Sequence, residues 1–143
     1  MQIQPYLFFD GRCQEAIDFY RQALGAELVM IMRFKENPDM PADAMPPGMA
    51  DKVMHAALKI GQSTVLVSDG QCTGQQPKPQ GFSLALSPAT DEEAERLFAV
   101  LAEGGEIQMP MAETFFASRF GAVVDRFGIS WMIHVDTRAP AAA

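Results

Sequence analysis

The hydrophobic and polar positions of the first half of the chain predict one strand, one helix and three further strands. The helix is predicted because apolar residues recur every three or four positions from Ala16 to Leu24, and Gly25 can end it. Two β-rich runs joined across Gly61-Gln62 indicate a hairpin. The predicted elements are a strand over residues 3–9, a helix over 13–24, and strands over 27–34, 53–60 and 63–68.

The same order of elements returns in the second half. Thr90 can cap a second helix because Glu93 follows three residues later, and Gly104-Gly105 can end it. The strands are predicted over residues 82–86, 106–111, 122–125 and 129–135. The pattern therefore indicates a duplicated βαβββ unit.

These elements predict an α+β fold of two tandem βαβββ modules in a single domain. The first module is expected over residues 1–69, a polar linker over 70–80, and the second module over 81–138. Two curved sheets, each covered on one face by its helix, can pair so that they enclose a ligand cavity.

The stretch over residues 35–51 interrupts the first module. It contains Pro38, Pro41, Pro46 and Pro47, and proline removes the backbone donor that regular structure needs. The stretch is predicted to be a long loop without regular structure. Such a loop could close over a ligand.

Composition narrows the classes of partner. The net charge of -7 disfavours nucleic acid and anionic membranes, and no apolar run approaches the roughly 20 residues that cross a bilayer. The first ten residues lack the basic start of a signal peptide, so a cytoplasmic location is expected. Cys13 and Cys72 form neither a disulfide framework nor a CxxC metal motif, and reduced thiols are expected.

Several motifs together resemble the PhnB-like branch of the vicinal-oxygen-chelate superfamily, which also includes glyoxalases, bleomycin-resistance proteins and dioxygenases. The motifs are Pro5 to Gly11, Glu15-Ala16, Phe19-Tyr20, Val53 to Ala56, Ser68-Asp69, Glu113 to Phe116, and Asp125 to Met132. The resemblance spans nearly the whole chain. It implies the two-module fold around a cavity and a homodimer.

Metal-dependent members of this superfamily, as the resemblance implies, take one ligand from the first and the last strand of each half. The corresponding places are Gln4-Pro5, Val67-Ser68, Phe82-Ser83 and Met132. A divalent ion needs several converging nitrogen, oxygen or sulfur donors, and of these residues only Gln4 is a good one. Neither a metal nor another cofactor is therefore expected. If the assigned strand positions are wrong by one or two residues, His134 is the one strong donor that would join this set.

His55, within a predicted strand, is the leading candidate for a polar group in the cavity, and the alternative is a histidine hydrogen-bonded within its sheet. Other candidates for ligand binding are aromatic or polar residues at or beside strands. They are Tyr6, Phe8, Ser68, Glu113, Phe116 and Trp131. The alternatives are core packing for the aromatic residues and a solvated loop for Glu113.

Three functions remain open on this reasoning. The preferred one is binding of a small organic molecule by a PhnB-like protein without the usual metal site. The first alternative is a metal-dependent lyase, isomerase or dioxygenase that holds an ion through residues such as His55 and Glu113. The second is a dimeric interaction scaffold without catalysis. The sequence contains no GxGxxG, GxxxxGK or GxSxG motif, so nucleotide and serine-hydrolase chemistry are disfavoured.

Overall fold

The computed structural model describes residues 1–75 and 77–137 and divides into two compact units. The first unit is Met1–Pro77, and the second begins at Lys78. Each unit contains one four-stranded sheet and one α-helix. This confirms the predicted α+β class and the βαβββ order of each half.

The sheet of the first unit has the strand order β1-β4-β3-β2. Strand β1 runs parallel to β4, and the other neighbours are antiparallel. The elements are β1 (Tyr6–Phe8), α1 (Cys13–Leu24), β2 (Glu27–Arg33), β3 (Val53–Ile60) and β4 (Ser63–Ser68). The bounds of α1 and of the hairpin strands are those predicted.

The second unit repeats this topology with the strand order β5-β8-β7-β6. Its parallel pair is β5 with β8. The elements are β5 (Leu84–Leu86), α2 (Asp91–Ala102), β6 (Glu106–Ala112), β7 (Ala117–Val124) and β8 (Ser130–Asp136).

Local sequence signals account for two of the predicted helix boundaries. Gly25 adopts a left-handed conformation with φ 66°, and its N–H donates to the carbonyl of Tyr20, which ends α1. The Thr90 hydroxyl accepts a hydrogen bond from the Glu93 N–H at 3.2 Å and caps the start of α2.

Strands β1 and β5 are shorter than the strands predicted over residues 3–9 and 82–86, and two further predictions differ from the structure. Strand β7 begins at Ala117 rather than at residue 122, since its polar first half is held by antiparallel pairing with β8 rather than by its own apolar pattern. The loop over residues 35–51 was predicted to lack regular structure. It overlaps the 3₁₀ turn Phe34–Glu36 and contains the turn Ala42–Ala44, because a single turn needs only one local hydrogen bond.

The core of the first unit lies between α1 and one face of its sheet. Leu7, Ala56, Leu58 and Val67 are buried on that face, and cross-strand pairing joins Leu7 to Val67 and Val67 to Ala56. Successive residues of a strand point to opposite faces, so the residues between these lie on the sheet face that α1 does not cover.

Candidate functional site

The uncovered face of the first sheet collects most of the candidate residues of the first half. Tyr6 pairs with Leu66, and Leu66 pairs with Ala57. Ala57 lies two positions from His55 on β3, and His55 pairs with Met32 on β2. We call this surface the first open face, and it consists of Tyr6, Phe8, Met30, Met32 and His55.

Large apolar groups on the first open face remain accessible. Phe8 is 49% exposed, Tyr6 is 40% exposed, and Met30 and Met32 are each 36% exposed. Aromatic rings and thioethers are the groups that line sites for small organic molecules. The chemistry of this surface is therefore that of a pocket wall.

A hydrogen-bonded pair lies at the centre of the first open face. The hydroxyl oxygen of Tyr6 is 2.7 Å from Nδ1 of His55. The ring of Tyr6 also stacks on Phe8, with centroids 4.9 Å apart and an interplanar angle of 6°. Tyr6 thus links the polar group of the site to its aromatic wall.

Partial burial is the largest cause that raises the pKa of the Tyr6 hydroxyl above its usual value, and the nearby Cys13 thiol adds to the effect. The phenol therefore keeps its proton near neutral pH. In that state it can donate a hydrogen bond to an imidazole nitrogen.

Ser68 lies directly beside this pair but is committed to the backbone. Its side chain is buried, its hydroxyl donates to the carbonyl of Met54 at 2.7 Å, and the hydroxyl oxygen accepts from the N–H of Gly70 at 2.9 Å. Ser68 therefore shapes the turn that follows β4. Gly70 in that turn has φ 65°, and a Cβ there would lie 3.3 Å from Phe8 Cδ1, so glycine leaves room for the Phe8 ring.

Asp69 is an important residue that sequence reasoning did not single out as functional. Its buried carboxylate accepts hydrogen bonds from the N–H groups of Gly11 at 2.7 Å, Cys13 at 2.8 Å and Val53 at 2.9 Å. These bonds join the end of β1, the start of α1 and the end of β4 to the start of β3. Asp69 therefore fixes the strands that carry Tyr6 and His55.

The predicted lid loop borders a cleft within the first unit. The cleft has a volume of about 430 Å³, and its walls include Pro46, Pro47 and Met49 from the loop together with Asp10 and Lys52. The Asp10 Oδ2 atom is buried and has no hydrogen-bond partner among the described residues.

The other candidates belong to the second unit and have different surroundings. Trp131 is only 2% exposed, and its Nε1–H donates to the buried carboxylate of Asp125 at 2.9 Å. Trp131 is therefore a core residue. Glu113 is exposed in the loop between β6 and β7. Phe116 is half-buried and packs edge-on against Phe120, with centroids 5.4 Å apart. Sequence reasoning missed Phe120 because its half of β7 lacks apolar alternation.

Two of the strand positions where the resemblance implies metal ligands present poor donors. Ser68 on β4 is hydrogen-bonded to backbone, and β8 presents Met132. His134 lies two positions from Met132 on the same face, and its Nε2 is 2.9 Å from the Ser87 hydroxyl. A hydroxyl and a thioether do not fit a divalent ion. Within residues 1–75 and 77–137, no group of three or more His, Cys, Asp or Glu side chains could hold a metal.

Over the same described residues, no helix combines the length and the apolar character that crossing a membrane requires.

The model of the protein family described as 3-demethylubiquinone-9 3-methyltransferase matches residues 1–134. The Escherichia coli protein YjdN is 39% identical over 98% of this chain and 99% of its own length. The crystal structure of protein PA1353 from Pseudomonas aeruginosa is similar, with a TM-score of 0.82 and 40% identity over 95% of this chain and 98% of that one. The PhnB protein from Bacillus cereus has a TM-score of 0.78 and 29% identity over 94% of this chain and 99% of its own.

Proposed function

The chain belongs to the PhnB-like family of the vicinal-oxygen-chelate superfamily, and we propose from this premise that it binds a small organic molecule on the first open face. The observation that carries the proposal is the group of accessible aromatic and thioether side chains around the Tyr6–His55 hydrogen bond. A polar pair within an apolar wall is the usual composition of a ligand site.

The apolar side chains support this proposal because they are contiguous. Single exposed apolar residues are ordinary on protein surfaces, whereas a connected apolar patch marks a contact surface. The stacked rings of Tyr6 and Phe8 form a flat wall, and such a wall favours a ligand with a planar apolar group. Met30 and Met32 have flexible side chains that can adapt to its outline.

The description of the family model names a methyl transfer, which requires a bound methyl donor. The sequence has no GxGxxG loop after a strand, the arrangement by which many nucleotide-containing donors are held. The proposal is accordingly for ligand binding and assigns no reaction. We expect the protein to act in the cytoplasm as a homodimer, as the family resemblance implies, and light scattering on the purified protein measures the assembly.

The experiment is a screen of planar fragments by ¹H–¹⁵N NMR. Binding is expected to shift the amide signals of β1 and β3. Phe8→Ala is expected to weaken binding about tenfold, because the loss of one aromatic wall removes roughly 1–2 kcal/mol of contact.

Ile107→Ala provides a matched control. Ile107 is 51% exposed, close to the value for Phe8. It pairs with Val123, which is buried, so Ile107 lies on the buried face of the second sheet and not on an open face. The control is expected to bind as the unmodified protein does. Equal loss in both variants, or fragment shifts that avoid β1 and β3, would refute the proposal.

A further inference from the structure

The proton positions of the Tyr6–His55 pair restrict the chemistry of the ligand. The two atoms that face each other, the Tyr6 oxygen and Nδ1 of His55, are 2.7 Å apart and share one proton. A neutral imidazole carries a single N–H. If the phenol donates to Nδ1, that N–H must be on Nε2.

This arrangement uses the stronger donor and the stronger acceptor. A phenol is a stronger acid than a neutral imidazole N–H, and an imidazole nitrogen is a better acceptor than a phenol oxygen. In the reverse arrangement the Tyr6 proton would need another acceptor. The other group within hydrogen-bonding reach of Tyr6 is the Ser68 hydroxyl, which already donates to the Met54 carbonyl and accepts from the Gly70 N–H.

The Nε2 atom of His55 is accessible and has no partner among the described residues. The half-buried His55 makes one hydrogen bond, through Nδ1, and Nε2 is not among the buried atoms without partners. The cross-strand neighbour of His55 on β2 is Met32, which is uncharged. The charged groups of this face are Lys59 and its cross-strand partner Glu27, at the opposite end of β3.

We infer that the ligand of the first open face carries an anionic oxygen, as a carboxylate or phosphonate on a planar apolar group, which accepts a hydrogen bond from Nε2–H of His55. This inference rests on the proposed function. His55 contacts the ligand, and Tyr6 is a positioning residue that holds the tautomer. A hydrogen bond to a charged acceptor is stronger than one between neutral groups, so the anionic form of a ligand is preferred.

The test uses one planar group with four substituents. The probes are 2-naphthoate, 2-naphthylphosphonate, 2-naphthamide and 2-naphthylmethylamine, measured by isothermal titration at pH about 8. At least one anionic probe is expected to bind about tenfold more tightly than the amide, and the amine is expected to bind most weakly. The anionic probe that binds more tightly distinguishes a carboxylate ligand from a phosphonate ligand.

Two variants separate the roles of the pair. His55→Asn is expected to remove the preference for the anion, while all four probes retain the affinity that the naphthyl ring provides. Tyr6→Phe keeps the ring that stacks on Phe8 but removes the hydroxyl, and it is expected to reduce the anion preference severalfold.

The ¹⁵N spectrum of the His55 imidazole supplies a readout that a merely structural role of Tyr6 would not change. The unmodified protein is expected to show the tautomer protonated at Nε2, and Tyr6→Phe is expected to show a mixture. This spectrum is independent of whether His55→Asn folds.

The outcomes distinguish this inference from the proposed function. Equal binding of the four probes, with loss of binding in Phe8→Ala, would overturn the inference and leave the proposed function intact. A His55 tautomer protonated at Nδ1 would also overturn the inference. Absence of binding by every probe and every planar fragment would overturn both.

Discussion

Replacement of Asp69 by alanine is expected to destabilise the first unit more than any exposed substitution. The carboxylate is 2% exposed, and it satisfies the buried N–H groups of Gly11, Cys13 and Val53. Alanine leaves three backbone donors without their acceptor. A donor stranded in this way costs about 1–3 kcal/mol, and partial entry of water reduces the sum, so a loss of roughly 3–6 kcal/mol is expected.

That loss is comparable to the whole stability of many domains, about 5–15 kcal/mol. Urea unfolding followed by far-UV circular dichroism measures it, and hydrogen exchange locates it. The amides of Gly11, Cys13 and Val53 are expected to lose protection in Asp69→Ala beyond the change in global stability.

Asp69→Asn makes the test sharper. The Gly11 and Cys13 amides donate to Oδ1, whereas the Val53 amide donates to Oδ2. Asparagine keeps one acceptor oxygen and is expected to retain the pair of bonds on Oδ1, while its NH₂ group faces the Val53 N–H. Protection should then fall selectively at Val53.

Asp51→Ala is the matched control, because its carboxylate is 83% exposed and, among the described residues, forms its ion pair with the exposed Lys35 alone. Its unfolding midpoint is expected to stay within experimental error of the unmodified protein. If Asp69→Ala unfolds at the same urea concentration as this control, and the three amides keep their protection, the assigned role of Asp69 is wrong.

Three further substitutions test the packing of the core. Burial raises the pKa of the Cys13 thiol above its usual value of 9.0, so the contribution of this thiol to stability is complete below that pH and is lost as the pH rises. In Cys13→Ala the free energy of unfolding should therefore fall less steeply at alkaline pH, by up to about 1.4 kcal/mol per pH unit. An unchanged slope would contradict this reasoning. Gly121→Ala places a Cβ 2.9 Å from Phe98 Cε2 and should lower stability by about 1–3 kcal/mol in urea unfolding, whereas a neutral effect would mean that the core adjusts freely. Trp131→Phe removes the Nε1–H donor of buried Asp125 and should cost about 1–3 kcal/mol by thermal unfolding, and an equal melting temperature would show that the hydrogen bond is dispensable.

Short-range sequence signals determined the elements with well-marked ends. Helix α1 ends where Gly25 can adopt a positive φ, and the hairpin of β3 and β4 turns at Gly61, which also has a positive φ of 59°. These features depend on residues within one or two turns of each other, so the sequence alone predicts them. The duplicated order of elements, and with it the fold class, followed from the same signals.

The start of β7 and the roles of individual side chains depended on contacts between distant residues. Ser118 and Arg119 lie in a strand because β8 pairs along that segment, not because of their own pattern. The three donors to Asp69 lie 58, 56 and 16 positions away along the chain. Nothing in the residues around Asp69 indicates which amides will meet its carboxylate.

Alternation along a strand assigned side chains to two faces but did not say which face a helix would cover. His55 lies on the face that α1 leaves open, whereas Trp131 is buried on its own sheet and bonds to Asp125. In the sequence, both were candidates for ligand binding. The two-residue period of a strand is a local property, whereas the covered face is decided by where the apolar side of the helix can be buried.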